Sequence, residues 1–195
     1  MTSQPTPYSP PPARALAGVQ LPAAFWAFHS QYYAPYQRYA HLQLGSRAEA
    51  DRLVHQVFLY IAVNWSSLMR QERPHVCAWN LLKHRVAVEL ESLCKEPAMA
   101  QTAVFDKVTR AALEGVRSQL AVMESALGVY GAIANLPDRQ FDVMVLRFVL
   151  GHTTKQTAAI MGVDEATVRS HCFRARKALA DDLNLSLKTT RDHEE

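Results

Sequence analysis

Apolar residues recur at three- and four-residue steps through most of the chain, the spacing of helices that bury one face. The clearest stripe is Ala50, Leu53, Val54, Val57, Phe58, Ile61, Ala62 and Trp65. Ser46 and Glu49 form a capping-box pair in front of it, and Gly45 closes the helix before. Leu59 and Tyr60 lie off that stripe, where exposed apolar groups can mark a partner surface. Upstream, Phe25, Trp26, Phe28, Tyr32, Tyr33, Tyr36 and Tyr39 follow helical spacing, with Pro35 expected to kink or split the helix. Pro74 opens another helix with Val76, Trp79, Leu82, Val86, Leu90 and Leu93 on one face. Leu113, Val116, Leu120, Met123, Leu127 and Tyr130 form a further stripe, and Val143, Leu146, Val149 and Leu150 another. No segment alternates long enough to predict a strand. The fold class is therefore all-α, as two small helical domains joined by a linker. The expected division is a Pro-rich disordered tail over 1–20, a first domain over 21–94, a linker over 95–110, a second domain over 111–180 and a flexible tail over 181–195.

Composition narrows the function. The chain has 195 residues with 20% charged and 49% hydrophobic, ordinary values for a globular protein. Its three cysteines cannot make a disulfide framework, and a reducing, cytoplasmic setting is expected. His75, Cys77, His84 and Cys94 match no zinc spacing, so no metal is expected. The longest charge-free runs, Ala15–Gln37 and Leu53–Met69, are interrupted by polar groups and prolines, so no membrane span or signal peptide is expected. No Ser-His-Asp order, phosphate loop or metal motif points to an enzyme, and no cofactor is implied.

The net charge is only +3, so any basic surface must be local. Residues 1–95 carry +4, residues 96–131 carry −1 and residues 132–195 are neutral. Within that neutral segment, 167–179 holds four bases (Arg169, Arg174, Arg176 and Lys177) and no acid. The same stretch follows a distinctive punctuation. Pro137 and Asp138 start a helix and Gly151 ends it. Thr153 and Gln156 then form a capping box, Gly162 fits a left-handed stop, and Asp164 caps the next helix. Ala158 provides the small residue that lets two helices cross closely. This is a helix-turn-helix. Its early positions Glu165, Ala166, Arg169 and Ser170 are placed for base edges, and Arg174, Arg176 and Lys177 for phosphates, with Thr154, Lys155 and Thr167 also expected at the DNA.

The run Leu136-Pro137-Asp138-Arg139-Gln140, then Val145-Leu146-Arg147-Phe148, Gly151, Thr167-Val168-Arg169-Ser170 and Arg174–Leu179 resembles region 4 of bacterial sigma-70 family factors, nearest to the extracytoplasmic-function (ECF) type. The helix at 50–58 resembles the polymerase-binding helix of region 2, and Trp79 with the helix after it resembles the promoter-melting segment. The resemblance covers about 20–94 and 110–180. It implies a factor that directs core RNA polymerase to promoter DNA. Region 2, through Asp51, Arg52, Val54, His55, Gln56 and Phe58, would dock on the polymerase. Trp79, Lys83 and Arg85 would face melted DNA. Region 4 would read the upstream promoter element, and an anti-sigma factor could sit between the domains. Departures from the family pattern fall in region 2. Arg52 stands where an acid is usual, His55 for Gln and Gln56 for Glu. Val86 stands for Asn, and Glu89 and Glu91 occupy a usually basic run. Thr167–His171 also resembles LuxR-type helix-turn-helix regulators. Two alternatives therefore stand beside the sigma reading: a stand-alone regulator, and a sigma-like interaction module with weakened polymerase binding.

Overall fold

The computed structural model describes residues 20–94, 97–98 and 136–182. The expected helix at 113–130, most of the 95–110 linker and both tails lie outside the described residues. All regular structure among them is helical. In chain order the elements are α1 (Ala23–Leu44), α2 (Arg47–Val63), α3 (Trp65–Met69), α4 (Pro74–Ser92), α5 (Asp138–Met144), α6 (Thr154–Met161) and α7 (Glu165–Asp182).

The punctuation falls where the sequence places it. Gly45 closes α1 in the left-handed conformation at φ 75°, and Ser46 Oγ accepts the Glu49 N–H to open α2. Pro74 sits at the head of α4, where its missing N–H costs nothing. Pro35 behaves differently from expectation: α1 runs unbroken through it. The ring removes a single helical hydrogen bond, and the carbonyl it frees belongs to exposed Gln31, within reach of water. A second difference is at the end of α5. The helix widens into a π-helical turn over Val145–Val149, with the Leu150 N–H donating to the Val145 carbonyl five residues back.

α1 and α2 pack as an antiparallel pair, and α4 lies across both. Their shared interior is aromatic. Tyr36 and Tyr39 meet the Trp79 ring edge-on at 5.6 and 4.8 Å, and Phe25 and Phe28 flank Trp65. α5, α6 and α7 form a second group around Val143, Leu146, Met161, Val168 and Leu179, each with essentially no exposed surface. Burying each such side chain contributes about 1.5–3 kcal/mol. α6 packs on α4, and the buried residues of both groups join in one continuous core.

Candidate nucleic-acid interface

α6 and α7 are set by three local devices. Thr153 Oγ1 accepts the Gln156 N–H at 3.2 Å while the Gln156 side chain accepts the Thr153 N–H at 2.9 Å, a complete capping box. Gly162 stops α6 at φ 70°. Asp164 Oδ1 accepts the Thr167 N–H at 2.6 Å and opens α7. That bond, the largest cause, holds the Asp164 carboxyl below its ordinary range.

These caps fix which side of α7 faces outward. Val168, Cys172, Ala175 and Leu179 are buried. Glu165, Ala166, Arg169, Ser170, Phe173, Arg174 and Lys177 are exposed and share one stripe. Glu165 lies 3.7 Å from Arg169, an exposed pair that restrains the guanidinium weakly. The stripe presents two guanidiniums, an ammonium, a hydroxyl and a methyl from a rigid helix, the functional groups that meet base edges and phosphates in a major groove.

The remaining expected DNA contacts are placed differently. Lys155 is exposed at the start of α6. Thr154 is half-buried and its Oγ1 accepts a hydrogen bond from Arg147. Thr167 is half-buried beneath its bond to Asp164. Arg176 is half-buried with its guanidinium 5.4 Å over the Phe148 ring, and Arg147 lies 5.7 Å from the same ring. Phe173, not among the residues expected at the DNA, is 63% exposed in the middle of the stripe. Its position four residues after Arg169 and seven after Ala166 was the available signal.

In the first group, Arg52 and His55 are exposed, Asp51 and Gln56 half-buried, and Val54 and Phe58 face the core. Arg52 Nη2 donates to Glu89 Oε1 at 2.5 Å. Two departures from the family pattern, a base for an acid on α2 and an acid for a base on α4, are therefore the two ends of one ion pair. Arg85 Nη2 donates to Gln56 Oε1 at 3.3 Å, joining another expected polymerase contact to another expected DNA contact.

Trp79 is fully buried. Its Nε1 donates to Asp142 Oδ2 at 3.2 Å, Tyr39 OH donates to Asp142 Oδ1 at 3.2 Å, and Lys83 Nζ lies 3.0 Å from Oδ2. Lys83 also reaches Asp138 at 3.2 Å. Burial pushes the Asp142 carboxyl up, against the Lys83 charge and the hydrogen bonds from Lys83, Trp79 and Tyr39. The same carboxylate and burial, with burial the larger cause, push the Tyr39 phenol well above its ordinary value. The sequence pattern places Tyr39 on an aromatic helix face but gives it no polar partner, and it singles out nothing at Asp142. No grouping of His, Cys, Asp or Glu among the described residues could hold a metal ion. No described helix is long and apolar enough to cross a membrane.

A capped helix-turn-helix carrying a basic outer stripe defines a DNA-binding class of domain. Residues 127–179 match the family model for Sigma-70, region 4, so the chain carries sigma-70 region 4 sequence around this site. Among curated relatives, the ECF RNA polymerase sigma factor SigM of Mycobacterium tuberculosis is 38% identical over 65 residues, 33% of either chain. The ECF RNA polymerase sigma factor BldN of Streptomyces coelicolor is 26% identical over 161 residues, 80% of this chain and 59% of BldN. The matches thus span a third of SigM and under two-thirds of BldN. A chain of the RsbN–BldN complex, solved at 1.8 Å, covers 86% of this chain and 96% of its own at 22% identity, with a TM-score of 0.31.

Proposed function

We propose that this protein is an ECF-type sigma factor that directs core RNA polymerase to specific promoters, with α7 reading the upstream promoter element as duplex DNA. The observation that carries the reading is the exposed stripe Ala166, Arg169, Ser170, Arg174 and Lys177, held by two caps inside the segment that matches Sigma-70, region 4. Arg169 and Ser170 would meet base edges, and Lys155, Arg174 and Lys177 phosphates. The α2 surface around Asp51, Arg52, His55 and Gln56 would meet the polymerase. The setting would be cytoplasmic. The names of the SigM and BldN relatives support the class, and an anti-sigma factor would be the protein partner of such a factor.

The test is reconstituted transcription on genomic DNA with core polymerase. Arg169→Ala should cost about 1–3 kcal/mol of specific duplex binding, roughly five- to 150-fold, and should relax promoter choice. An unchanged transcript set would exclude α7 as the reading helix. A second reading, a sigma-like interaction module, is favoured by the Arg52–Glu89 pair, which replaces an acid on the polymerase-facing helix by a base. It predicts that core polymerase is not retained on the immobilised protein, whereas the sigma reading predicts retention.

A further inference from the structure

A groove opens between α1 and α2. Leu21, just ahead of α1, lines it together with Trp26 and His29 of α1 and His55, Phe58 and Leu59 of α2. Phe58 is buried and forms its floor, whereas Trp26 is 56% exposed and forms a wall. The His29 ring bridges the two, edge-on to Phe58 at 4.8 Å and 6.0 Å from the Trp26 ring. Among the described residues, no Asp, Glu, Lys or Arg lines the groove. Burial, and after it the His55 charge, lowers the His29 pKa and favours its neutral ring. The cavity is about 120 Å³, well below the roughly 300–1,000 Å³ of small-molecule and cofactor sites. It suits a few small apolar rings taken one after another.

We propose that this groove is a docking site for the chain's own proline-rich segment Pro7–Pro12, laid in extended polyproline form against Trp26 and His29. The sequence there is Pro7-Tyr8-Ser9-Pro10-Pro11-Pro12, with no charged side chain, so an uncharged segment meets an uncharged groove. Pro7 and Pro10 stand three residues apart, one turn of a polyproline helix, and so share a face. Aromatic-lined grooves accept such segments because the prolines are already extended and little chain entropy is lost on docking. The exposed Trp26 indole offers a flat apolar wall and an N–H that can donate to a carbonyl of the segment. Reach is sufficient. Eight residues separate Pro12 from Leu21 and can span up to about 26–29 Å. His29 lies only about 9 Å along the helix from Ala23, so the chain has slack to turn back. The docking rests on the groove and the segment alone. The sigma reading adds one consequence: because His55 lines the groove, a docked segment would border the α2 surface assigned to the polymerase.

The experiment uses the full chain as wild type and as the combined variant Pro7→Ala, Pro10→Ala, Pro11→Ala and Pro12→Ala. The reporter is the indole N–H resonance of Trp26 in proton–nitrogen NMR, assigned by its loss in Trp26→Phe. Trp79 is fully buried and Trp65 nearly so, so the exposed Trp26 indole also dominates quenching by acrylamide. The proline variant should keep the helical circular dichroism of wild type, shift the Trp26 resonance and raise acrylamide quenching about twofold. A synthetic peptide of residues 6–14 should then return the variant's resonance to the wild-type position. Wild type should barely respond to the same peptide, because its tethered segment acts at an effective concentration in the millimolar range. An identical Trp26 resonance in wild type and variant overturns the docking. A peptide that moves nothing at several millimolar overturns the groove as a proline-binding site. A wild-type resonance that drifts to the variant's position on dilution overturns docking within one chain and assigns the groove to the segment of a second copy. Loss of helix in the proline variant also overturns it, since the segment would then belong to the folded core. None of these measurements uses polymerase or promoter DNA, so failure of the chain to retain core polymerase would count against the sigma reading alone.

Discussion

Asp164 and Asp142 are the same residue type put to opposite use. Asp164 is exposed at the head of α7, and its Oδ1 accepts the Thr167 N–H at 2.6 Å. A hydrogen bond to the ionised form lowers the folded pKa below the ordinary 3.8. A carboxyl whose folded pKa is depressed adds stability above its unfolded pKa and loses it as pH falls through the folded one. The Asp164 carboxyl should therefore titrate in the folded chain with a midpoint below 3.8, followed by carbon-13 NMR. Asp164→Asn should keep the cap and remove that acid step. A midpoint at or above the ordinary value would mean that the cap bond is not formed in solution. The two aspartates also differ in how readable they are. Asp164 could be assigned as a cap because its partner lies three residues away. Asp142 looks like any polar position on a helix, since its partners Trp79 and Tyr39 stand 63 and 103 residues earlier. No local pattern announces such a carboxylate.

At the scale of elements, the two glycines that bracket α6 separate backbone cost from packing cost. Gly151 and Gly162 have nearly the same left-handed φ, 69° and 70°. Around Gly151 nothing lies within 4 Å of an added Cβ, whereas Gly162 abuts the backbone of His75 and Val76. Gly151→Ala should then cost only the left-handed penalty, about 1 kcal/mol. Gly162→Ala should cost clearly more, because the turn must retreat from α4 and uncover core side chains. Urea denaturation of both variants measures the gap, and equal losses would mean that the turn does not rest on α4. Element starts and stops were largely legible, since Gly45, Ser46, Pro74, Thr153, Gln156 and Gly162 act through neighbours in sequence. The π-helical turn at Val145–Val149 was not, because nothing in its apolar run distinguishes five-residue from four-residue bonding. Pro35 misled in the other direction: a proline usually ends a helix, yet the long aromatic face of α1 is held by α2 and α4 on either side of it. For the candidate interface, the stripe Ala166, Arg169, Ser170 and Arg174 followed from helical periodicity. The inward turn of Arg176 did not, because it depends on the Phe148 ring from α5's π-helical extension.

Over the whole molecule, a net charge of +3 understates how unevenly the charge is placed. The first 95 residues hold an excess of +4, yet Arg52 is tied to Glu89 and Lys83 to Asp138 and Asp142. On α7, Arg169, Arg174 and Lys177 point outward, with exposed Lys155 at the start of α6. If these groups alone meet the duplex, each neutralised phosphate should add about −0.9 to the slope of log K against log salt. Three or four contacts then give a slope of roughly −3 to −4, modest for a DNA-binding protein. Lys177→Ala should weaken binding to all sequences alike and make the slope shallower by about 0.9. Arg169→Ala should instead cost most on the selected element, because a base contact carries sequence information and a phosphate contact does not. Arg176→Ala should leave the slope almost unchanged and lower thermal stability, since its guanidinium is held over Phe148. Titrations of fluorescein-labelled duplex at several salt concentrations separate these outcomes. A slope steeper than about −6 would require more phosphates than this face can neutralise. The positive excess of the first 95 residues would then have to join the duplex contact, and α7 would be one part of a larger DNA surface.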